Sequence, residues 1–274
     1  MIPERLRYDF GILREKIVDM KFLKLVEKLI RAPILVDGKA ALNKIGCPQG
    51  SAISPVLLNI YLHYVIDIWF EETRATHLWG TAEMVRFADD MVFIFQYAKD
   101  AKRFYKALPK RLEKFGLKLH DCKSSVIKSG SIHAKDAEQN GGRLQTYKFL
   151  GFTCYWGKSR SGKWRLKFKS RADRLAKKLV NMRQHLKQNL QVKTHIVIER
   201  IKGVVIGWGN YHAISDNQRQ VNAFIHWVKR GLFAFINRKG GKRKKKMNWD
   251  SFGKLLKRLN FSIYFKITSM FRVC

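Results

Sequence analysis

The chain has 274 residues, 46% of them hydrophobic, which is enough for one large domain or two modest ones and too apolar for wholesale disorder. Its 55 Lys and Arg stand against 21 Asp and Glu, a formal net charge of +34, so a polyanion is the expected partner. No stretch approaches the roughly 18 uncharged apolar residues of a spanning helix, and the four scattered cysteines suggest neither a zinc site nor a disulfide framework.

The charge is unevenly spread. Residues 1–140 hold 23 Lys and Arg against 17 Asp and Glu, whereas residues 141–274 hold 32 against 4. A surface that serves only solubility mixes signs, so the second half reads as a polyanion-binding surface. Nucleic acid and a membrane surface would both attract cations, but a membrane calls for an amphipathic helix or lipid anchor. Met1-Ile2-Pro3-Glu4-Arg5 lacks the plan of a signal peptide. A reducing, intracellular, cytoplasmic setting is expected.

In chain order, residues 9–31 place Phe10, Leu13, Ile17, Met20, Leu23, Val26, Leu29 and Ile30 at helical spacing, predicting one amphipathic helix or two that end at Pro33. Ile34-Leu35-Val36 and Lys39-Ala40-Ala41-Leu42 read as a hairpin around Asp37-Gly38. Gly46 to Ser51 form a loop in which Gly and Pro permit close approach to a ligand. Ser54-Pro55 predicts a helix start with Ser as cap, and a buried stripe of Val56, Leu57, Ile60, Tyr61, Tyr64, Val65, Ile68 and Trp69. A helix over about 99–115 and a strand from Gly116 come next. Residues 145–168 predict a hairpin of Gln145–Tyr155 and Trp164–Phe168. Helices over 171–190, 194–207, 217–237 and 249–259 complete the chain, with a basic run at Lys242-Arg243-Lys244-Lys245-Lys246.

The most informative stretch is Met84 to Phe95. Asp89 and Asp90 interrupt an apolar, β-branched and aromatic run, predicting strand, tight turn, strand. Adjacent carboxylates repel, and burial would add a desolvation cost, unless a cation joins them. Mg²⁺, which takes one or two carboxylates plus substrate phosphates, suits such a turn. Nucleotidyl transfer uses metals in this way, to stabilise the attacking and leaving oxygens.

Cys47-Pro48-Gln49-Gly50-Ser51, Phe87-Ala88-Asp89-Asp90, Gly116-Leu117…Lys123-Ser124 and Phe149-Leu150-Gly151-Phe152 together resemble a reverse transcriptase of the group II intron type. Gly207-Trp208-Gly209-Asn210-Tyr211-His212, Trp227, Arg230 and the basic run resemble that family's maturase, or intron-splicing, domain. The resemblance covers nearly the whole chain and implies an α+β fold. An incomplete right-hand polymerase palm over 1–168 would precede a helical thumb and maturase domain over 169–274. It further implies Asp89 and Asp90 as catalytic Mg²⁺ ligands, with Asp89 favoured for both ions, and Gln49, Gly50 and Lys123 facing nucleotide and template. Leu150 and Gly151 would grip the primer end. Group II intron RNA, an RNA template, a DNA primer and deoxynucleotides would be the partners. Arg160, Lys163, Arg165, Arg171, Arg174, Lys177, Lys178 and Lys242, Arg243, Lys244, Lys245 and Lys246 would reach RNA phosphates. Trp208, Tyr211, Phe224 and Trp227 would either stack on bases or belong to the core, their spacing favouring the core.

A complete polymerase of this family carries fingers and a first palm strand with a third metal-binding aspartate. In this sequence Met1 to Arg14 resembles the segment immediately C-terminal to that strand, and Asp9 does not match the motif. Weak or absent polymerase activity by the chain alone is therefore expected, with a separate fingers fragment or self-association as complements. A non-enzymatic intron RNA-binding splicing factor, or a remnant, is the alternative.

Overall fold

A computed structural model describes residues 11, 13–31, 34–36, 39–41, 53–240 and 246–270. They fall into two compact units divided between Lys128 and Ser129. The fold is mixed α+β, with small antiparallel sheets up to Ser170 and helices after it.

In the first unit, helical residues Leu13–Lys16 are separated from α1 (Met20–Arg31) by a break at 17–19. Asp19 starts α1, its carboxylate accepting from the Lys21 and Phe22 N–H groups at 2.8 and 3.1 Å, which satisfies donors orphaned at a helix start. The amphipathic segment is thus two helical pieces. Leu13, Leu23 and Val26 bury with Leu57, whereas Met20 and Leu29 of the expected stripe are exposed. β1 (Ile34–Val36) and β2 (Lys39–Ala41) pair antiparallel as expected. The Asp37-Gly38 turn lies outside the described residues.

α2 (Ser54–Leu62) runs through one π-helical turn, His63–Asp67, into α3 (Ile68–Thr76). Ser54 is not the cap: Ile53 holds that position without a side-chain bond, and Ser54 is already helical. Proline in the first turn preorganises the start without a hydroxyl cap. The π turn changes the spacing from 3.6 residues, so the expected stripe is only partly right. Leu57, Tyr61, Leu62, Val65, Ile66 and Phe70 are buried, while Val56 and Ile68 are exposed. The same turn leaves backbone acceptors for another element. Arg111 donates from Nε to the Val65 carbonyl at 3.0 Å and from Nη2 to that of Tyr64 at 3.4 Å.

β3 (Ala82–Phe87) and β4 (Asp90–Phe95) form an antiparallel ribbon in which Phe87 faces Asp90. Alternation turns Ala82, Met84, Met91, Phe93 and Phe95 into the core, against α3 and α4 (Ala98–Lys114). Phe104 of α4 is the hub, its ring 4.7 Å from Phe93, 5.3 Å from Phe95 and 5.6 Å from Phe70. The other ribbon face leaves Val85, Phe87 and Ile94 exposed at 48, 65 and 54%, so among the described residues the helices of the unit cover one face. Gly116, at φ +66°, ends α4, with Leu117 N–H closing back to Leu112 O at 2.9 Å. The strand expected from Gly116 does not form. Leu117 and Leu119 instead dock singly on the core, ahead of one 3₁₀ turn at Asp121–Lys123.

The second unit opens on α5 (Ser131–Gln139), which the sequence pattern did not reveal. β5 (Tyr147–Phe149), β6 (Phe152–Lys158) and β7 (Trp164–Ser170) make one antiparallel sheet. The first predicted strand is therefore two, split at Leu150-Gly151. Helices α6 (Ala172–Gln188), α7 (Thr194–His212), α8 (Gln218–Lys239) and α9 (Trp249–Arg258) enclose a core that includes Met182, Val197, Ile201, Phe224, Val228, Leu232 and Phe252. The strand-to-helix change expected near 168–172 falls between β7 and α6. The break in packing lies upstream because polar ties fasten β5–β7 to the end of α7.

α7 outlasts its expected end at residue 207 because its glycines are tolerated, one of them for a packing reason. A Cβ on Gly209 would lie 1.9 Å from Cζ of Phe265, whereas one on Gly207 would meet nothing within 4 Å. Gly207→Ala should therefore stabilise the protein by up to about 1 kcal/mol through helix propensity. Gly209→Ala should destabilise it by about 1–3 kcal/mol through overpacking. Urea unfolding followed by circular dichroism checks the opposite signs.

Candidate functional site

The acid pair sits where the ribbon reverses. Ala88 and Asp89 form its two-residue turn, and Asp90 opens β4 opposite Phe87. Both carboxylates are exposed, so burial does not bear on them and mutual repulsion is the remaining cost. Ala88 has φ +52°, a left-handed conformation that costs a non-glycine residue about 1–2 kcal/mol. Something must hold it there.

Arg86 does so. Its strand position points inward with Met84 and Met91, where a charge needs partners. Nε donates to Asp67 Oδ1 at 2.7 Å and Nη2 to Asp67 Oδ2 at 2.6 Å, a bidentate pair. Nη1 donates to Asn59 Oδ1 at 2.9 Å and to the Ala88 carbonyl at 3.3 Å. The guanidinium thus ties the acid-pair turn to α2 and to the π turn. Burial pushes the Asp67 carboxyl up, but the Arg86 bonds and charge, helped by His63, outweigh it and hold it below the ordinary carboxylate value. Asn59, Asp67 and Arg86 were not singled out from the sequence. A signal was present: Asp67 interrupts Tyr64-Val65-Ile66-Asp67-Ile68-Trp69, and Arg86 takes an inward strand position among apolar ones.

Among the described residues, no group of three or more His, Cys, Asp or Glu gathers as a metal cluster. Asp89 and Asp90 fit a hydrated Mg²⁺ whose shell substrate phosphates would complete. They are fewer ligands than a two-metal site needs. Lys123 is exposed on the 3₁₀ turn of the same unit. Gln49 and Gly50 lie outside the described residues, as do Lys242, Arg243, Lys244 and Lys245.

Leu150 and Gly151 belong to the other unit. They form the two-residue turn between β5 and β6, at φ +45° and +80°, the signs of a type I′ hairpin turn. The end of α7 holds this turn: Tyr211 Oη donates to the Leu150 carbonyl at 2.7 Å, and its ring lies 5.6 Å from that of Phe152. Asn217, fully buried, accepts from Ser170 N–H at 2.7 Å and donates from Nδ2 to Ser170 Oγ and to the His212 carbonyl. Arg165 pairs with Asp216 at 2.5 Å. These bonds join β5–β7 to the maturase-like motif, a role that Tyr211 and Asn217 were not assigned from sequence.

The expected phosphate-binding cations divide into two groups. Arg165 and Arg171 are engaged within the fold, with Asp216 and Asp173 respectively. Arg160, Lys163, Arg174, Lys177, Lys178 and Lys246 are exposed. On α6, Lys177 lies opposite the stripe of Leu175, Leu179, Met182 and Leu186, with Arg174 and Lys178 on its flank. Of the aromatic candidates, Phe224 is core and Trp208 packs against the core, whereas Tyr211 and Trp227 are exposed at 54 and 41%.

The first unit thus presents an exposed acid pair on a strand-turn-strand, and the second carries many exposed cations. The reverse transcriptase (RNA-dependent DNA polymerase) family model matches residues 13–154, and the chain belongs to that family. The group II intron maturase-specific domain model matches residues 172–252, which makes it a group II intron reverse transcriptase/maturase. Similar proteins include an uncharacterized 91 kDa protein in a cob intron of Schizosaccharomyces pombe, 29% identical over 155 residues. The group II intron-encoded protein LtrA of Lactococcus lactis subsp. cremoris is 42% identical over 53 residues. The matches cover 53 and 19% of this chain but only 19 and 9% of those proteins. No described helix is long and apolar enough to cross a membrane.

His212 is a packing residue beside this junction, between Phe152, Trp208 and Tyr211. Burial, and then the charge of Arg174, lower its pKa to about 4 from an ordinary 6.5. The folded state therefore stays neutral while the unfolded chain takes up a proton. The associated stability is complete above pH 6.5 and lost as pH falls toward 4. Urea midpoints for the wild type should fall through that window, and His212→Gln should flatten the slope.

Proposed function

We propose that this chain serves RNA-templated DNA synthesis coupled to group II intron splicing, with Asp89 and Asp90 as its catalytic acids. The observation that carries the reading is the exposed acid pair on a strained turn that Arg86 and Asp67 hold in place. The reaction is in-line attack of a primer 3′-hydroxyl on the α-phosphate of a deoxynucleotide, releasing pyrophosphate. Mg²⁺, when bound, would stabilise charge on the attacking and leaving oxygens. Asp89 and Asp90 would hold it, and Gln49 and Gly50 would face the template and nucleotide. Lys123 would meet the phosphates, and the Leu150-Gly151 turn would grip the primer end. Residues 1–168 act as palm and 169–274 as thumb and maturase domain, which holds intron RNA through its exposed cations. The setting is cytoplasmic and nucleic-acid-associated.

Among the described residues two adjacent acids meet at this turn and no third joins them; two-metal catalysis calls for a further acidic ligand, which a fingers segment or a second copy would supply. The second reading, an intron RNA-binding splicing factor, is favoured by the lack of a third acid near the pair among the described residues. Primer extension on an RNA template with Mg²⁺ separates the two. Little product is expected from the chain alone, and product that depends on Asp89 once a related enzyme's fingers fragment is added. Sustained extension by the chain alone, above an Asp89→Ala control, would refute the need for a complement. No product in either case, with intact RNA binding, would leave the splicing-factor reading.

A further inference from the structure

The second unit has a groove beside Trp227, a residue that the sequence leaves between core packing and base stacking. It has a volume of about 460 Å³ and lies between α6 and α8, with Trp249 of α9 at its edge. This is within the ~300–1,000 Å³ typical of small-ligand sites. Residue 231 is glycine, and a Cβ there would lie 3.1 Å from Met182 Cε. Leu186, Leu190 and Phe235 contribute apolar lining. Two tryptophans stand at the groove, Trp227 exposed at 41% and Trp249 at 51%. Trp249 is fixed by a parallel stack on Phe233, with centroids 4.0 Å apart and planes at 8°. Trp227 carries the Arg230 guanidinium over its ring at 5.2 Å.

The charge around this apolar lining is of one sign. Arg183, Lys187, Arg230 and Arg238 line the groove, and no acid does among the described residues. A hydrophobic peptide would not explain four cations, and a duplex presents its bases stacked rather than free to enter. Single-stranded RNA presents both needed parts, an unstacked base for the indole faces and phosphates for the cations. We infer that the α6–α8 groove is a base-binding pocket for single-stranded RNA, in which Trp227 stacks an unpaired base and Arg183, Lys187, Arg230 and Arg238 hold the flanking phosphates. The inference rests on the RNA-binding reading above and adds where, and in what form, the strand is held.

The test uses the full chain and a single-stranded RNA oligomer carrying one 2-aminopurine, alongside the same oligomer with abasic positions. Trp227 is exposed, so Trp227→Ala should fold, with circular dichroism as the check. Trp227→Ala should weaken binding of the intact oligomer roughly tenfold and remove the 2-aminopurine fluorescence change. The abasic oligomer should bind the wild type and the variant equally. Trp227→Phe should restore most of the affinity. The slope of log affinity against log salt should stay the same, since no phosphate contact is removed. Lys177→Ala with Lys178→Ala, outside the groove, should instead reduce that slope and keep the fluorescence change. If the wild type binds intact and abasic RNA equally, with a steep salt response, the pocket is wrong while the RNA-binding reading stands. If Trp227→Ala changes the oligomeric state and not RNA affinity, the groove is a self-association surface and the inference fails. Absence of salt-sensitive RNA binding by the wild type would overturn both.

Discussion

The bidentate pair between Arg86 and Asp67 is the interaction on which the acid-pair turn depends. A charged strand residue is turned inward, its partner lies on a π-helical turn, and the remaining donor holds the carbonyl of Ala88. The π turn thus meets two needs at once. It exposes carbonyls for Arg111 and includes the carboxylate that Arg86 needs. The fork geometry of arginine matters because lysine is a point charge and cannot hold both carboxylate oxygens and the turn together. Asp89 and Asp90 are therefore presented to solvent by a support fixed from below.

The second organising feature is the partition of charge. Only four acids occur after residue 140, and three of them, Asp173, Glu199 and Asp216, are in ion pairs within the fold. Internal neutralisation therefore involves few of the 32 cations in that half. The helical core forms without them, from the apolar faces of α6–α9. The surplus positive charge is left for a polyanion, and the two exposed tryptophans at the groove give that surface a feature that charge alone lacks.

Much of this was legible in the sequence because it depends on local pattern. The acid-pair ribbon comes from period-2 alternation around a two-residue turn, and α6, α8 and α9 come from helical spacing. The misreadings share a cause. Periodicity assumes an uninterrupted 3.6-residue helix, so the π turn misplaced Ile68, which follows it. The helix expected to end at residue 207 runs on to His212, and the Phe265 ring packed on Gly209 comes from a segment far along the chain. Leu150 in a left-handed turn was hidden because leucine rarely adopts that conformation, and its stabilising bond comes from Tyr211. Arg86 and Asp67 were each visible as a charge in an apolar run, but pairing them requires the fold.

The proposed role of Arg86 is to fix Asp89 and Asp90 in a geometry that holds a divalent ion. Mn²⁺ titration followed by paramagnetic broadening of backbone amide resonances tests it without requiring turnover. Broadening should centre on Ala88, Asp89, Asp90 and Met91, vanish in an Asp89→Asn/Asp90→Asn double variant, and require several-fold more Mn²⁺ in Arg86→Lys. Broadening scattered over other carboxylates, or unchanged in Arg86→Lys, would mean that Arg86 does not set an ion site at this turn.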